Sequence, residues 1–480
     1  MTRNDFLALL PLLILAASVV VVMLAVAVRR TRAVSASLAF AGLALAFGAL
    51  WPAASASPRT VTPLVTIDGY ALFYMGLILA AAMAFVLLAY AYFQDRDGYP
   101  DELYILMLVA TLGAAVLVAS THLVSLFLGL ELLSISLYGM IAYSPGPRPL
   151  EAGIKYLVLA AASAAFLLFG IALVYFVSGS MSFAGIAAAL PRAATGARWL
   201  LWPGTALLIT GFGFKLGVVP FHLWTPDVYQ GAPAPVTAFV ASVSKGAMFA
   251  VLLRFFYVSG ALRYEPVWVI FNVIAIASMF AGNLLALLQS NVKRILAYSS
   301  IAHLGYLLVA FQAAGLLGAE AVTMYLTAYF ITILGAFGVV AILSRGGREA
   351  DSLEDYSGLF WHRPILAAIL TAMVLSLAGI PVTAGFIGKF YIVAAGAASS
   401  LWSLIVILVV TSAIGLVYYL RIIVAMYERA PGLEAQPVRP ARRLSAGGLA
   451  LIVLTALLLW FGIFPKPLVA AIRGAVAALG

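Results

Sequence analysis

Four ionisable side chains stand inside long apolar runs of this chain: Glu131, Lys215, Lys245 and Lys389. On insertion scales a charge at the bilayer centre costs about 2.5–3.5 kcal/mol, so such groups mark ion paths or pair with one another. Burial favours the neutral amine of a lysine, whereas a nearby carboxylate favours the ammonium. At about 4 Å and an effective dielectric of about 20, that attraction is roughly 4 kcal/mol, nearly a thousandfold in proton affinity. Movement of Glu131 toward or away from Lys215 would load or discharge a proton. A row of lysines would then hand it on, each charge disfavouring charge on its neighbour. The chemistry suggested is proton transfer across a membrane. The structural alternative pairs Lys215 with Glu131 and lets the other lysines snorkel to an interface.

Other candidates surround this row. His303, in SSIAHLGYLL, lies mid-span, where an imidazole that titrates near neutrality suits a relay between the lysine sites. A neutral, hydrogen-bonded histidine is the other reading. His222 falls in GFGFKLGVVPFHLWTPD and either joins the path or satisfies backbone groups freed there. Tyr298 and Tyr306, with Ser299 and Ser300, are placed to hold water but are also ordinary interhelical hydrogen-bonders. Lys155 reads equally as an anchor or a proton entry. Lys293 and Arg294 read mainly as inner-face anchors, and Arg254 as a snorkelling residue near the outer end of its span.

The elements that must position these groups are membrane spans. The 480 residues are 65% hydrophobic and 9% charged, against about 25% charged in a soluble domain. The net charge of +10 is not gathered into one patch, which argues against nucleic acid. With no cysteine and four scattered histidines (His122, His222, His303 and His362), no clustered ligand set for haem, iron–sulfur or zinc is present in the sequence. A crossing helix needs about 20 apolar residues. Fourteen such runs occur, near 6–28, 33–52, 69–93, 103–120, 122–143, 153–178, 200–221, 235–258, 267–289, 295–315, 319–344, 364–397, 401–427 and 445–465. The first exceeds a signal-peptide core and is taken as a retained span. The twelfth is too long for one straight crossing and holds GIPVTAG with Pro381, and the seventh holds Pro220. Proline removes a backbone donor and glycine tolerates unusual dihedrals, so both are expected to be broken helices.

Basic residues concentrate in alternate loops. Sixteen, including Arg29, Arg30, Arg32, Arg345, Arg439, Arg442 and Arg443, fall on one side and seven on the other. The positive-inside rule then places both termini outside. The breaks at Pro220 and Pro381 are 161 residues apart, and spans four and nine begin about 164 apart. Two inverted five-helix repeats are expected, each with one broken helix, an architecture of ion-coupled transporters. The expected fold is an all-α integral membrane protein of about fourteen spans. Its parts are 1–101 (three helices), 102–258 (first repeat), 259–427 (second repeat) and 428–480 (inner loop, last span and tail).

The stretches GFGFKLGVVPFHLWTPDVYQGAPAPVTAFVASVSK (211–245), NVKRILAYSSIAHLGY (291–306) and GIPVTAGFIGKFYI (379–392) resemble the subunit N family of bacterial NADH–quinone oxidoreductase, respiratory complex I. The resemblance covers nearly the whole chain. It implies an antiporter-like, proton-pumping subunit of the bacterial inner membrane. Glu131 then matches the family's span-five glutamate, Lys215 its partner lysine, Lys245 the central lysine and Lys389 the lysine of the second broken helix. The sister subunits L and M usually read differently where this chain has TPDVYQGAP, and M usually carries glutamate where Lys389 stands. Subunit L ends in a long lateral helix, whereas about fifteen residues follow the last span here. By resemblance the parent complex uses NADH, FMN, iron–sulfur clusters and quinone, with none of these cofactors bound by this chain. The implied partners are subunits M, K, J and A and the lipid bilayer. The rivals are a large subunit of a multi-subunit cation/proton antiporter or a membrane-bound hydrogenase, and a non-pumping structural subunit.

Overall fold

The structure is a computed structural model that describes residues 2–94, 96, 100–192, 198–313, 315–344, 346–429 and 445–479. Arg345, Arg439, Arg442 and Arg443, counted above among the inner-loop charges, lie outside the described residues. Twelve helices among the described residues are long and apolar enough to cross a bilayer. They coincide with twelve of the fourteen apolar runs, and the two left over are the seventh and the twelfth. Both are broken. The expected all-α class stands, and beside the helices Arg59–Thr62 and Val65–Ile67 form a small antiparallel hairpin between the second and third runs.

The seventh run is helical over Leu201–Leu216 and stops at Gly217, whose φ of 74° is open to glycine at no steric cost. The Gly217 amide closes onto the Gly213 and Phe214 carbonyls, and that of Val218 onto Gly213. A non-helical turn through Pro220 and His222 leads into the short helix Trp224–Gly231. The twelfth run repeats the device. Pro364–Ala378 ends at Gly379 (φ 85°), whose amide N–H donates to the Leu375 and Ser376 carbonyls while that of Ile380 donates to Leu375, and the helix resumes over Ala384–Ala398. Within this second break Val382 also takes a left-handed φ of 75°, a strained setting for a β-branched residue. A Cβ on Gly462, in the last spanning helix Ala446–Ile463, would collide with the Val382 carbonyl oxygen.

Two further features recur 169 residues apart. Helices Asp101–Ala119 and Leu123–Ile141 touch backbone to backbone, since a Cβ on Gly113 would lie 2.6 Å from the Leu133 nitrogen and 2.9 Å from the Gly129 oxygen. Helices Glu265–Leu287 and Val292–Gln312 do the same at Gly282, 2.5 Å from the Ala302 nitrogen and 2.8 Å from the Tyr298 oxygen. Small residues permit this close approach in lipid, where packing rather than the hydrophobic effect joins helices. The N-cap His122 bridges to Ser182, and the N-cap Asn291 bridges to Ser352. Gly282→Val should therefore separate its helix pair and lower stability by about 1–3 kcal/mol, as overpacking does. The melting temperature of the purified assembly reports it, and an unchanged value would show that the pair parts freely.

Three helices form the interior: Ala234–Ser259, Val292–Gln312 and Gly315–Leu343, the last 89% buried over its apolar stretch. The apolar stretch of Ala234–Ser259 is 100% buried and that of Val292–Gln312 is 94% buried, against 28% for the first helix, Arg3–Val28. Val292–Gln312 and Ala234–Ser259 carry His303 and Lys245. A π-helical turn, Val240–Ser244, directly precedes Lys245. Such turns often sit at functional positions. The C-terminal helix Lys466–Val476 buries Leu468, Ile472, Ala475 and Val476 against the bundle and ties Arg473 to Glu320 at 3.1 Å.

Candidate functional site

Lys215 occupies the last turn before the first break, where the helix end points it inward. It is 3% exposed. Its Nζ donates to Ser134 Oγ at 2.8 Å and to Tyr156 Oη at 2.7 Å, from the two preceding spans. Glu131 lies one turn from Ser134, is half-buried, and joins no ion pair among the described residues. A static Glu131–Lys215 salt bridge, the structural alternative raised by the sequence, is not what the structure holds.

Lys245 is 1% exposed, and its Nζ donates to Ser300 Oγ at 2.8 Å. The Tyr329 hydroxyl donates to the same oxygen at 2.7 Å, and that of Tyr229 lies 3.3 Å away. The rings of Tyr229 and Trp224 stand 5.1 and 5.8 Å from the amine. One residue before Ser300, Ser299 bonds the Tyr419 hydroxyl, which reaches His303 Nε2 at 2.9 Å. Tyr325 bonds the other ring nitrogen of His303. A cavity of about 10 Å³ beside His303, Tyr329, Thr332 and Ser376 is near the minimum for one water. Ser376 accepts from the Gly385 amide at 3.1 Å, one turn before Lys389. Lys389 is half-buried and donates to Ser412 Oγ at 2.6 Å and to the Ala378 carbonyl at 2.9 Å, a carbonyl left free by the second break. Its amine lies 5.2 Å from the Tyr306 ring, whose hydroxyl accepts from Asn283 at 2.9 Å.

The remaining candidates are placed less directly. Lys155 is exposed on the basic face and pairs with Glu151 at 2.7 Å and Asp227 at 2.9 Å. His222 sits in the first break beside the Pro220 backbone, with Nδ1 shielded and making no direct hydrogen bond among the described residues. Tyr298 packs half-buried against the core edge and makes no hydrogen bond among the described residues, so its neighbours Ser299 and Ser300 take the polar contacts. Lys293 does not snorkel. It is fully buried and donates to the Ala232 carbonyl at 2.6 Å and to Glu349 at 3.0 Å. Arg254 does not snorkel either. It turns inward, 3% exposed, into a two-pronged pair with Asp68 at 2.8 Å for each contact. The carboxylate is within reach because Asp68 caps the third spanning helix at the same end of the bundle.

Sequence reasoning missed the hydroxyl partners. Ser134, Tyr156, Tyr229, Tyr325, Tyr329, Ser412 and Tyr419 supply most of the contacts to the lysines and His303. A signal was present. Ser134 follows Glu131 by three residues, and Tyr325 and Tyr329 follow each other by four in TMYLTAYF, so each falls on one helix face.

Residues 120–415 match the family described as NADH:quinone oxidoreductase/Mrp antiporter, transmembrane. The chain is 51% identical over 482 residues to the NADH-quinone oxidoreductase subunit N of Ectopseudomonas mendocina (strain ymp), an alignment covering 99% of this chain and 97% of that protein. A chain of respiratory complex I from Thermus thermophilus with bound aureothin is 34% identical with a TM-score of 0.82, over 97% of this chain and 99% of the other. A chain of the Mrp complex from Dietzia sp. DQ12-45-1b shares the fold at 21% identity and a TM-score of 0.86, over 100% and 98% of the two chains. Identity of that extent over nearly full length, on a bundle with two broken helices, decides the kinship: the chain belongs to the subunit N family of NADH-quinone oxidoreductases, the antiporter-like membrane subunits of respiratory complex I.

Proposed function

We propose that this chain translocates protons outward across a bacterial inner membrane through Glu131, Lys215, Lys245, His303 and Lys389. NADH oxidation by quinone elsewhere in the complex drives the transfer. The observation that carries this reading is the identity of the lysines' partners. The amines of Lys215, Lys245 and Lys389 are held by hydroxyls or a carbonyl, with no carboxylate in contact among the described residues. A hydroxyl both donates and accepts, so it satisfies an ammonium and a neutral amine alike. Arg254 and Asp68 show the opposite design in the same bundle, a permanent cation locked to a carboxylate. Glu131, one turn from Ser134, supplies the charge that biases Lys215. The Lys245 and His303 clusters meet at Ser299 and Ser300, and the small cavity beside Ser376 continues toward Lys389.

The repeated Gly113/Gly282 contacts, the paired caps and the two glycine-ended breaks support two inverted five-helix repeats, 102–258 and 259–427. They flank a three-helix segment, 1–101, and a closing segment, 428–480. Both termini face the periplasm in this reading. Electrons pass through NADH, FMN, iron–sulfur clusters and quinone held by other subunits, and subunits M, K, J and A are the neighbours. His222, Lys155, Lys293, Tyr298 and Tyr306 are accessory.

Lys245→Ala in the assembled complex tests the reading. Proton pumping by reconstituted vesicles and NADH–quinone turnover should fall together, with assembly intact on a native gel. Full pumping in that variant would favour a non-pumping structural role.

A further inference from the structure

An open cavity of about 180 Å³ lies on the basic face, between the first turns of helix Pro147–Ser178 and the short helix Trp224–Gly231. Arg148, Glu151, Lys155, Asp227 and Gln230 line it. A water needs on the order of 10–15 Å³ of such space, so several fit among these polar walls. Asp227 is the hub of the cluster. Lys155 reaches it at 2.9 Å from one helix and Arg294 at 2.9 Å from Val292–Gln312. The other charged groups facing it are Glu151, held by Lys155 at 2.7 Å, and Arg148 at the rim, itself 3.9 Å from Asp351.

The two helices that carry this cluster also carry two aromatic rings close behind it. Tyr156 is the residue after Lys155, and Trp224 lies one turn before Asp227. Their rings stand 4.9 Å apart, and Phe214 completes a stack at 5.7 Å from Trp224 and 6.3 Å from Tyr156. Trp224 is 2% exposed and is pinned by its indole N–H to the Phe214 carbonyl at 2.8 Å. Lys215 and Lys245 contact the same rings: the Lys215 amine is 5.2 Å from Tyr156, and the Lys245 amine 5.8 Å from Trp224. Tyr156 and Trp224 thus touch the two buried amines and sit on the same two helices as Lys155 and Asp227 of the cavity lining.

We propose that this cavity is the aqueous mouth from which Lys215 and Lys245 are loaded, with Asp227 as its proton acceptor and the Trp224–Tyr156–Phe214 stack as its gate. The inference rests on the relay reading above and adds the entrance to it. A proton from the inner aqueous phase, carried through the cavity as hydronium, passes to Asp227 and leaves neutral water behind, and the neutral carboxyl loosens its hold on Lys155 and Arg294. Those cations sit on separate helices, so their release leaves Trp224–Gly231 tied to Arg294 through Gln230 alone, at 3.1 Å, and lets it tilt about that contact as the indole leaves its neighbours. Water then enters and carries the proton from Asp227 to the Tyr156 oxygen. Tyr156 passes its own proton to the neutral Lys215 amine, which becomes the ammonium.

The test compares Asp227→Asn with Lys215→Ala in assembled complex reconstituted into vesicles. Asp227→Asn should lower pumping and turnover together severalfold and shift the dependence of turnover on inner-side pH, and Asp227→Glu should restore most of both. Full pumping with an unshifted pH profile in Asp227→Asn overturns the proposal. If Lys215→Ala is still impaired in that case, the relay stands and its mouth lies elsewhere; if it too is unimpaired, the relay itself fails. Should Asp227→Asn not assemble, Gln230→Cys provides a second measurement, because the native chain has no cysteine. A cationic, membrane-impermeant thiol reagent applied from the inner side should label it and cut pumping severalfold within the same preparation, relative to the same treatment of unsubstituted complex. Absence of labelling, or full labelling with pumping unchanged, overturns the proposal.

Discussion

Lys215→Ala and Lys215→Arg are both expected to depress proton pumping and NADH–quinone turnover by roughly ten- to a hundredfold, at or below the range for removing a positioned proton-transfer group. The arginine variant separates the two roles open to this side chain. A structural cation is replaced tolerably by arginine, which reaches the same Ser134 and Tyr156 hydroxyls. A relay is not, because guanidinium stays protonated and the neutral half of the cycle disappears. Pumping by vesicles and turnover, each scaled to assembled complex on a native gel, decide between them. Recovery with arginine but not alanine would make Lys215 a packing cation. Loss in both leaves proton exchange at Nζ as its role.

Asp68→Ala is expected to destabilise the chain by about 3–5 kcal/mol, the penalty for leaving a buried charge without its partner. Arg254 is 3% exposed, its two terminal nitrogens are committed to Asp68, and Tyr70 lies 4.9 Å from the guanidinium. The double change Asp68→Leu with Arg254→Met removes both charges and should recover most of the loss, since apolar replacement of a buried pair is often neutral. Melting of the detergent-solubilised complex measures each. An Asp68→Ala protein that melts like the parent would show that water reaches Arg254 after all.

The spans were legible because apolar length is a one-dimensional property, and the two breaks were legible because proline and glycine act on their own backbone. Lys215, Lys245 and Lys389 were legible for a similar reason: charge in an apolar run is conspicuous without knowledge of any neighbour. What could not be read was partnership. Arg254 looked free to reach the interface, yet Asp68, 186 residues away in sequence, meets it inside the bundle. Lys293 looked like an anchor until the fold set Glu349 and the Ala232 carbonyl beside it. Glu131 and Lys215 looked like a pair, yet Ser134 and Tyr156 occupy the lysine instead. Hydroxyls are hidden by their ordinariness, because serine and tyrosine occur in many spans and only tertiary packing selects the few that face an amine.

The second break has a mechanical consequence. Val382 holds a left-handed backbone that is worth on the order of 1–3 kcal/mol of strain, with its side chain 56% exposed and its carbonyl pressed against Gly462. Only the absence of a Cβ on Gly462 lets the last spanning helix come that close. The joint is therefore braced on one flank and open on the other. Movement of the break toward the last spanning helix is blocked by that contact, whereas the opposite flank offers no such stop among the described residues. Lys389, whose amine donates to the Ala378 carbonyl, ties the two halves of the break together across this joint.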